Sequence, residues 1–144
     1  MELNHYNSTL LGEKLSSLSK VEDLTIKIDS VDWIIGPPCS GMFSYNSSPP
    51  YNELPSEITQ LRKLISLNIA GLSLKRLPDN FSDLRKLRTL NLTLNKMDIT
   101  NELPKLELLN LDTLIITGNR YDTTQLTKWR QKHPNTRILD NCAN

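Results

Sequence analysis

The chain has 144 residues, 38% hydrophobic and 23% charged, and its 17 Lys and Arg against 16 Asp and Glu give a net charge of +1. Such a length and composition suit one globular unit, and the near-neutral balance removes the electrostatic reason to expect nucleic acid or an anionic membrane as partner. No apolar run reaches the length of a membrane span, and the opening MELNHYNSTLLGEK lacks the basic-then-apolar order of a secretory signal, so a cytoplasmic protein is expected.

In chain order, Asn7 and Ser8 are residues that favour helix starts, and Leu11, Leu15 and Leu18 follow at helical spacing. The spacing predicts a short amphipathic helix that closes the front of the fold within residues 1–19. Val21, Leu24, Ile26, Asp29 and Val31 then open a pattern that returns downstream. Between its first and second copies the chain carries extra residues, read as an insertion over about 34–53, and its Pro, Gly and Ser content argues against regular structure there.

From Leu54 the pattern is explicit. LPSEITQLRKLISLNIAGLSL is followed by LPDNFSDLRKLRTLNLTLNKM, and Leu54, Pro55, Ile58, Leu61, Leu64, Leu67, Ile69 and Leu74 each meet an apolar residue or proline 23 residues on. A further copy, Leu111, Leu114, Ile116, Asn119 and Tyr121, is displaced by 24. A fixed period of this length is the mark of a stacked solenoid, because one such unit cannot bury its apolar face without neighbours. Beyond residue 121, Asp122 and Gln125 have capping-box spacing ahead of Leu126 and Trp129, which predicts a helix ending near His133, before Pro134. Thr136–Leu139 reads as a last short strand, and residues 122–144 as the closing cap.

Within each L-x-L segment the large residues should point inward and their neighbours outward, as strand alternation requires. The outward positions are then Asp23, Thr25 and Lys27; Ser66, Asn68 and Ala70; Thr89, Asn91 and Thr93; and Thr113, Ile115 and Thr117. The last three sets carry no charge, and their small polar side chains suit close approach and hydrogen bonding by a partner. Asn95 and Asn119 recur after the strands, where a side-chain amide can both donate to and accept from the backbone of a bend. Leu72 holds the equivalent place in the second copy and cannot do this.

The spacing L-x-x-L-x-L-x-x-N-x-L, present as Leu87, Leu90, Leu92, Asn95 and Met97, resembles the leucine-rich repeat family. The LP-x-x-I/F-x-x-L half-repeats at Leu54 and Leu77 are similar to the short bacterial or plant-type variety. The resemblance implies an α/β solenoid of about four repeats over residues 20–121, with a curved parallel sheet and helical caps at both ends. It also implies a non-enzymatic module that binds a protein partner through Ser66, Asn68, Thr89, Asn91, Thr93, Thr113, Ile115 and Thr117 on the concave strand face, with no cofactor and as a monomer. A carbohydrate or small ligand on the same polar face is the alternative.

Two further features bear on partners. The insertion holds Phe43 and Tyr45, with Trp33 just before it, and aromatic residues on a long loop either supply binding energy or fold back over the core. The doubled L-R-K-L motif should stack Arg62 and Lys63 beside Arg85 and Lys86, with Lys105 nearby, as a small basic strip. Catalytic spacing is missing: His5 and His133 are the only histidines, and no C-x-x-C, H-E-x-x-H or glycine-rich phosphate loop occurs. Cys39 and Cys142 are expected to be reduced thiols. A glycan at Asn91, one of four Asn-x-Ser/Thr sites, would cover the strand face, which argues against a eukaryotic secretory route.

Overall fold

The computed structural model describes residues 2–3, 8–28, 32–36, 40–44 and 53–140, with side chains for 11–27 and 53–140. In order these form β1 (Glu2–Leu3), α1 (Ser8–Ser16), β2 (Asp23–Thr25), β3 (Lys27–Ile28), β4 (Asp32–Gly36) and β5 (Ser40–Ser44). There follow a 3-10 turn (Ser56–Gln60), β6 (Ser66–Asn68), a second 3-10 turn (Phe81–Asp83), β7 (Thr89–Asn91), α2 (Ile99–Leu106), β8 (Thr113–Ile115), α3 (Thr123–Lys132) and β9 (Arg137–Leu139).

Five strands make one parallel sheet in the order β2-β6-β7-β8-β9. Each is only three residues long because the repeat supplies one inward leucine between two outward residues. Leu24, Leu67, Leu90, Leu114 and Ile138 stand in one register row, and the first four are buried. Ile26, Ile69, Leu92 and Ile116, two positions on, add a second buried layer. The coils of β6, β7 and β8 enter the sheet in the same way. Ile65 and Ser66 both donate to Glu22 O, Arg88 and Thr89 both donate to Ile65 O, and Asp112 and Thr113 both donate to Arg88 O. That shared acceptor holds successive coils at one stagger.

On the convex side the 3-10 turns insert Ile58 and Phe81, each fully buried. Helix α1 packs on the first of them, with Leu11 and Leu15 in the core and Gly12 so close that a Cβ there would lie 3.0 Å from the Glu57 carboxyl carbon. Helix α2 starts on Asp98, whose side chain accepts from Thr100 N–H, and α3 on Asp122, which accepts from Gln125 N–H at 2.8 Å. His133 ends α3, so Leu126 and Trp129 close the core at that end.

The insertion differs from the sequence reading. It contains an antiparallel hairpin in which Trp33 faces Phe43 and Ile34 faces Met42 in register. The β-branched and aromatic residues on either side of residues 37–39 have strand propensity that outweighs the turn-forming content of the segment as a whole. Tyr45, Cys39 and Cys142 lie outside the described residues.

The turn asparagines also work differently than their own copy suggests. Asn95 Oδ1 accepts from Leu72 N–H (3.1 Å) and Leu74 N–H (3.0 Å), while its Nδ2 donates to Ile69 O and Leu92 O, both at 2.9 Å. Asn119 repeats this one coil on, donating to Leu92 O and Ile116 O and accepting from Met97 N–H. Each amide therefore serves the preceding coil as well as its own, and the bend at Leu72 is satisfied by Asn95. The bends also need left-handed backbone at one equivalent site: Gly71 has φ 71°, Leu94 φ 52° and Gly118 φ 75°. Glycine suits two of the three, and Leu94 takes the conformation with a buried side chain.

Candidate functional site

The outward residues of the sheet line up in two register rows. Asp23, Ser66, Thr89, Thr113 and Arg137 form one, and Thr25, Asn68, Asn91, Ile115 and Leu139 the other. Thr93 and Thr117 continue the face just beyond β7 and β8, where Leu94 N–H donates to Thr117 O at 2.8 Å. Ser66, Asn68, Thr89, Asn91, Thr93, Thr113, Ile115 and Thr117 are all half-buried, so the structure brings the whole predicted set onto one surface. Charge is confined to the ends of the first row, at Asp23 and Arg137.

Two asparagines on this face are preset by their own backbone. Asn68 Oδ1 accepts from Ala70 N–H at 3.2 Å and Asn91 Oδ1 from Thr93 N–H at 3.0 Å. Each bond uses the amide oxygen, so the NH2 ends are what the amides can offer to an acceptor. Neighbouring strands repeat at about 4.8 Å, which sets the pitch of this short donor row. Arg137 and Leu139 extend the two rows and were absent from the sequence-based set. The alternation that located the others could have found them, had it been carried through the last strand. Leu139 beside Ile115 gives the face a small apolar end.

The loop candidates are not brought to this face by any described contact; Trp33 and Phe43 are register partners within the hairpin. The basic strip is also altered. Arg62, Lys63, Arg85 and Lys86 are exposed at successive strand entrances, but Lys105 belongs elsewhere. Its Nζ donates to Leu77 O at 2.6 Å, pairs with the buried Glu102 carboxylate at 3.1 Å and lies 3.6 Å from Asp79. Glu102 Oε2 in turn accepts from Leu77 N–H at 2.9 Å, so the pair staples α2 to the preceding coil. Helix geometry, with Lys105 three residues after Glu102, commits it to that carboxylate.

His133, which the sequence places in no catalytic spacing, has neighbours the fold supplies. Its ring stacks on Trp129 at a centroid distance of 4.0 Å, and Nε2 lies 3.6 Å from Glu107 Oε2. Lys132 Nζ holds the other oxygen of Glu107 at 3.0 Å. The Glu107 carboxyl is kept below the usual carboxylate range, first by that Lys132 hydrogen bond, against some desolvation, and then by the Lys132 charge and His133. The adjoining cavity holds no Ser or Cys, and the Thr136 hydroxyl on its wall donates to Leu111 O at 2.7 Å, so no nucleophile stands ready beside the imidazole. Asp140, just after β9, takes hydrogen bonds from Tyr121 OH (3.2 Å) and Arg130 (2.9 Å). Burial, followed by the Asp140 charge, pushes the Tyr121 hydroxyl up from its ordinary value.

Among the described residues no cluster of His, Cys, Asp and Glu could hold a metal ion, and no helix is long and apolar enough to cross a membrane. No family model matches this sequence, and no curated protein matches it. Solved structures do. A leucine-rich repeat protein of Leptospira interrogans is similar over 96% of this chain and 36% of its own, with 24% identity and a TM-score of 0.57. The fold is that of a leucine-rich repeat solenoid. The leucine-rich repeat ectodomain of the receptor kinase SOBIR1 from Arabidopsis thaliana is similar over 90% of this chain and 60% of its own, with 22% identity and a TM-score of 0.51. The chain thus spans about a third of the first structure's length and three fifths of the second's.

Proposed function

We propose that the chain is a non-enzymatic module that binds a protein partner on its parallel strand face, with Asn68, Thr89, Asn91 and Thr113 near the centre of contact. The observation that carries this reading is the pair of in-register rows, half-buried, uncharged through their middle and bounded by Asp23 and Arg137. A surface of small hydroxyl and amide groups admits close approach, and the absence of central charge lowers the desolvation cost of covering it. Ile115 and Leu139 favour a protein over the alternative of a sugar. A carbohydrate site calls for an aromatic platform, and the described residues of these rows include none.

The test is substitution on the face. Asn91→Arg sets a long cation in the middle of the patch while Leu90 and Leu92 stay buried, so folding should survive the loss of the acceptor for Thr93 N–H at a cost of about 1 kcal/mol. A partner captured from cells of the source organism should lose affinity for Asn91→Arg and Thr113→Arg by at least about tenfold, about 1.4 kcal/mol. Unchanged affinity for both variants would remove the strand face from consideration.

A further inference from the structure

The turns that lead into the strands lie along one side of the solenoid and concentrate positive charge. The Leu61–Leu64 and Leu84–Leu87 turns are each closed by a 2.9 Å backbone hydrogen bond, with Arg62, Lys63, Arg85 and Lys86 exposed at their tips. Because the following strands are in register, Ser66 opposite Thr89, equivalent tip residues are separated by about one strand spacing, roughly 5 Å. The next coil continues the edge by reaching forward. Arg85 Nη1 donates to Leu108 O at 3.4 Å and Arg88 Nη1 to Asn110 O at 2.8 Å. A guanidinium carries five N–H donors, so the bond that holds Arg88 in place uses one of them and orders the group for another acceptor.

Arg88 forms one wall of a cavity of about 340 Å³ whose other walls include Asp112, Lys132, His133, Asn135 and Thr136. His133 Nε2 is buried there without a hydrogen-bond partner, since Glu107 at 3.6 Å is too far to serve as one. Along the three coils from Arg62 to Lys132, this edge carries Arg62, Lys63, Arg85, Lys86, Arg88 and Lys132 against Asp83, Glu107 and Asp112. Glu107 is already engaged by Lys132. With the whole chain at only +1, the surplus is a segregation of charge onto this edge and not a property of the molecule at large.

We infer that this edge is a docking surface for an acidic polypeptide segment, which runs across the turn tips and sets a carboxylate into the cavity beside Arg88. Charge complementarity selects the sign of the partner. Its class follows from two details: Asp112 in the cavity wall opposes a continuous polyanion but tolerates separate carboxylates, and the tips offer no aromatic side chain for base stacking. A planar guanidinium also matches a carboxylate through paired hydrogen bonds. The surface is distinct from the strand face, so the two readings stand or fall separately.

The experiment is fluorescence anisotropy with the full chain at about 0.1 M ionic strength, where the Debye length is about 10 Å, using a labelled peptide of alternating Glu and Ser and, in parallel, a labelled oligothymidine of equal charge. The peptide should bind, and Arg85→Glu combined with Lys86→Glu should weaken it about tenfold or more, as should Arg88→Glu. Lys75→Glu, the same change of charge as Arg88→Glu but on the strand-exit side, should alter affinity less than about twofold, because exposed charges beyond a Debye length are screened. Circular dichroism melts check folding; should Arg88→Glu melt early through loss of its bond to Asn110 O, the tip variant carries the result, since Lys86 is at an exposed turn tip. No binding of the peptide, equal loss in Lys75→Glu, or oligothymidine bound as tightly as the peptide would each overturn the proposal.

Discussion

Asn95→Ala probes the joint between two coils. The side chain is 5% exposed and makes four hydrogen bonds, two accepted from Leu72 N–H and Leu74 N–H and two donated to Ile69 O and Leu92 O. Leu92 O keeps a second donor, Asn119 Nδ2 at 2.7 Å, so its loss is partial. The two amides of the preceding bend lose the acceptor that both share. An orphaned buried group costs about 1–3 kcal/mol, and some relaxation or water entry into the space left by the amide will soften the sum, so a destabilisation of about 2–4 kcal/mol is expected. Urea unfolding followed by circular dichroism measures it, with the m-value checked for constancy. Asn119→Ala is the internal comparison: that residue is half-buried and its bond from Met97 N–H is longer, 3.3 Å, so its loss should be smaller. An Asn95→Ala midpoint within about 0.5 kcal/mol of the parent, or a larger effect at Asn119, would refute the account of the amide as a link between coils.

Other consequences can be read from single sites. Gly118→Ala should cost more than about 1 kcal/mol in the same assay, because φ is 75° and the new Cβ would meet Leu94 Cδ2 at 2.5 Å; measured in a Leu94→Ala background, the same substitution should cost less by the steric part only. Lys105→Met leaves the buried Glu102 carboxylate with only Leu77 N–H, and a loss of about 2–4 kcal/mol is expected, reduced when Glu102→Gln is added. The depressed Glu107 pKa means that its ionised form contributes stability above the ordinary carboxylate range, and that this contribution disappears as pH falls through the lowered value. With Glu107 37% exposed the term is at most about 1 kcal/mol, and the stability gap between the parent and Glu107→Gln should be present at neutral pH and close in acid.

Much of the solenoid could be read directly from residues. The 23-residue recurrence of leucines, the L-x-L alternation and the asparagines Asn95 and Asn119 are local signals, and together they imply inward rows, outward rows and parallel stacking. The outward set on β6, β7 and β8 followed from the same alternation, because a period of two admits one assignment once the buried residue is known. The strand pair Asp32–Gly36 and Ser40–Ser44 was less legible, since the Pro, Gly and Ser content of the segment masked two short strands.

What the chain alone determined, then, is the period, the inward face and the register, all properties of residues close in sequence or separated by one repeat. Tertiary structure decided which partners the polar side chains take. Lys105 turned from the basic strip to Glu102 and Leu77 O, Asn95 satisfied the bend at Leu72 23 residues earlier, and Glu107 reached His133 across the α2–α3 packing. Apolar burial is non-directional and shows in composition and spacing, whereas a hydrogen bond or ion pair depends on distances of a few ångströms that exist only after the coils have stacked.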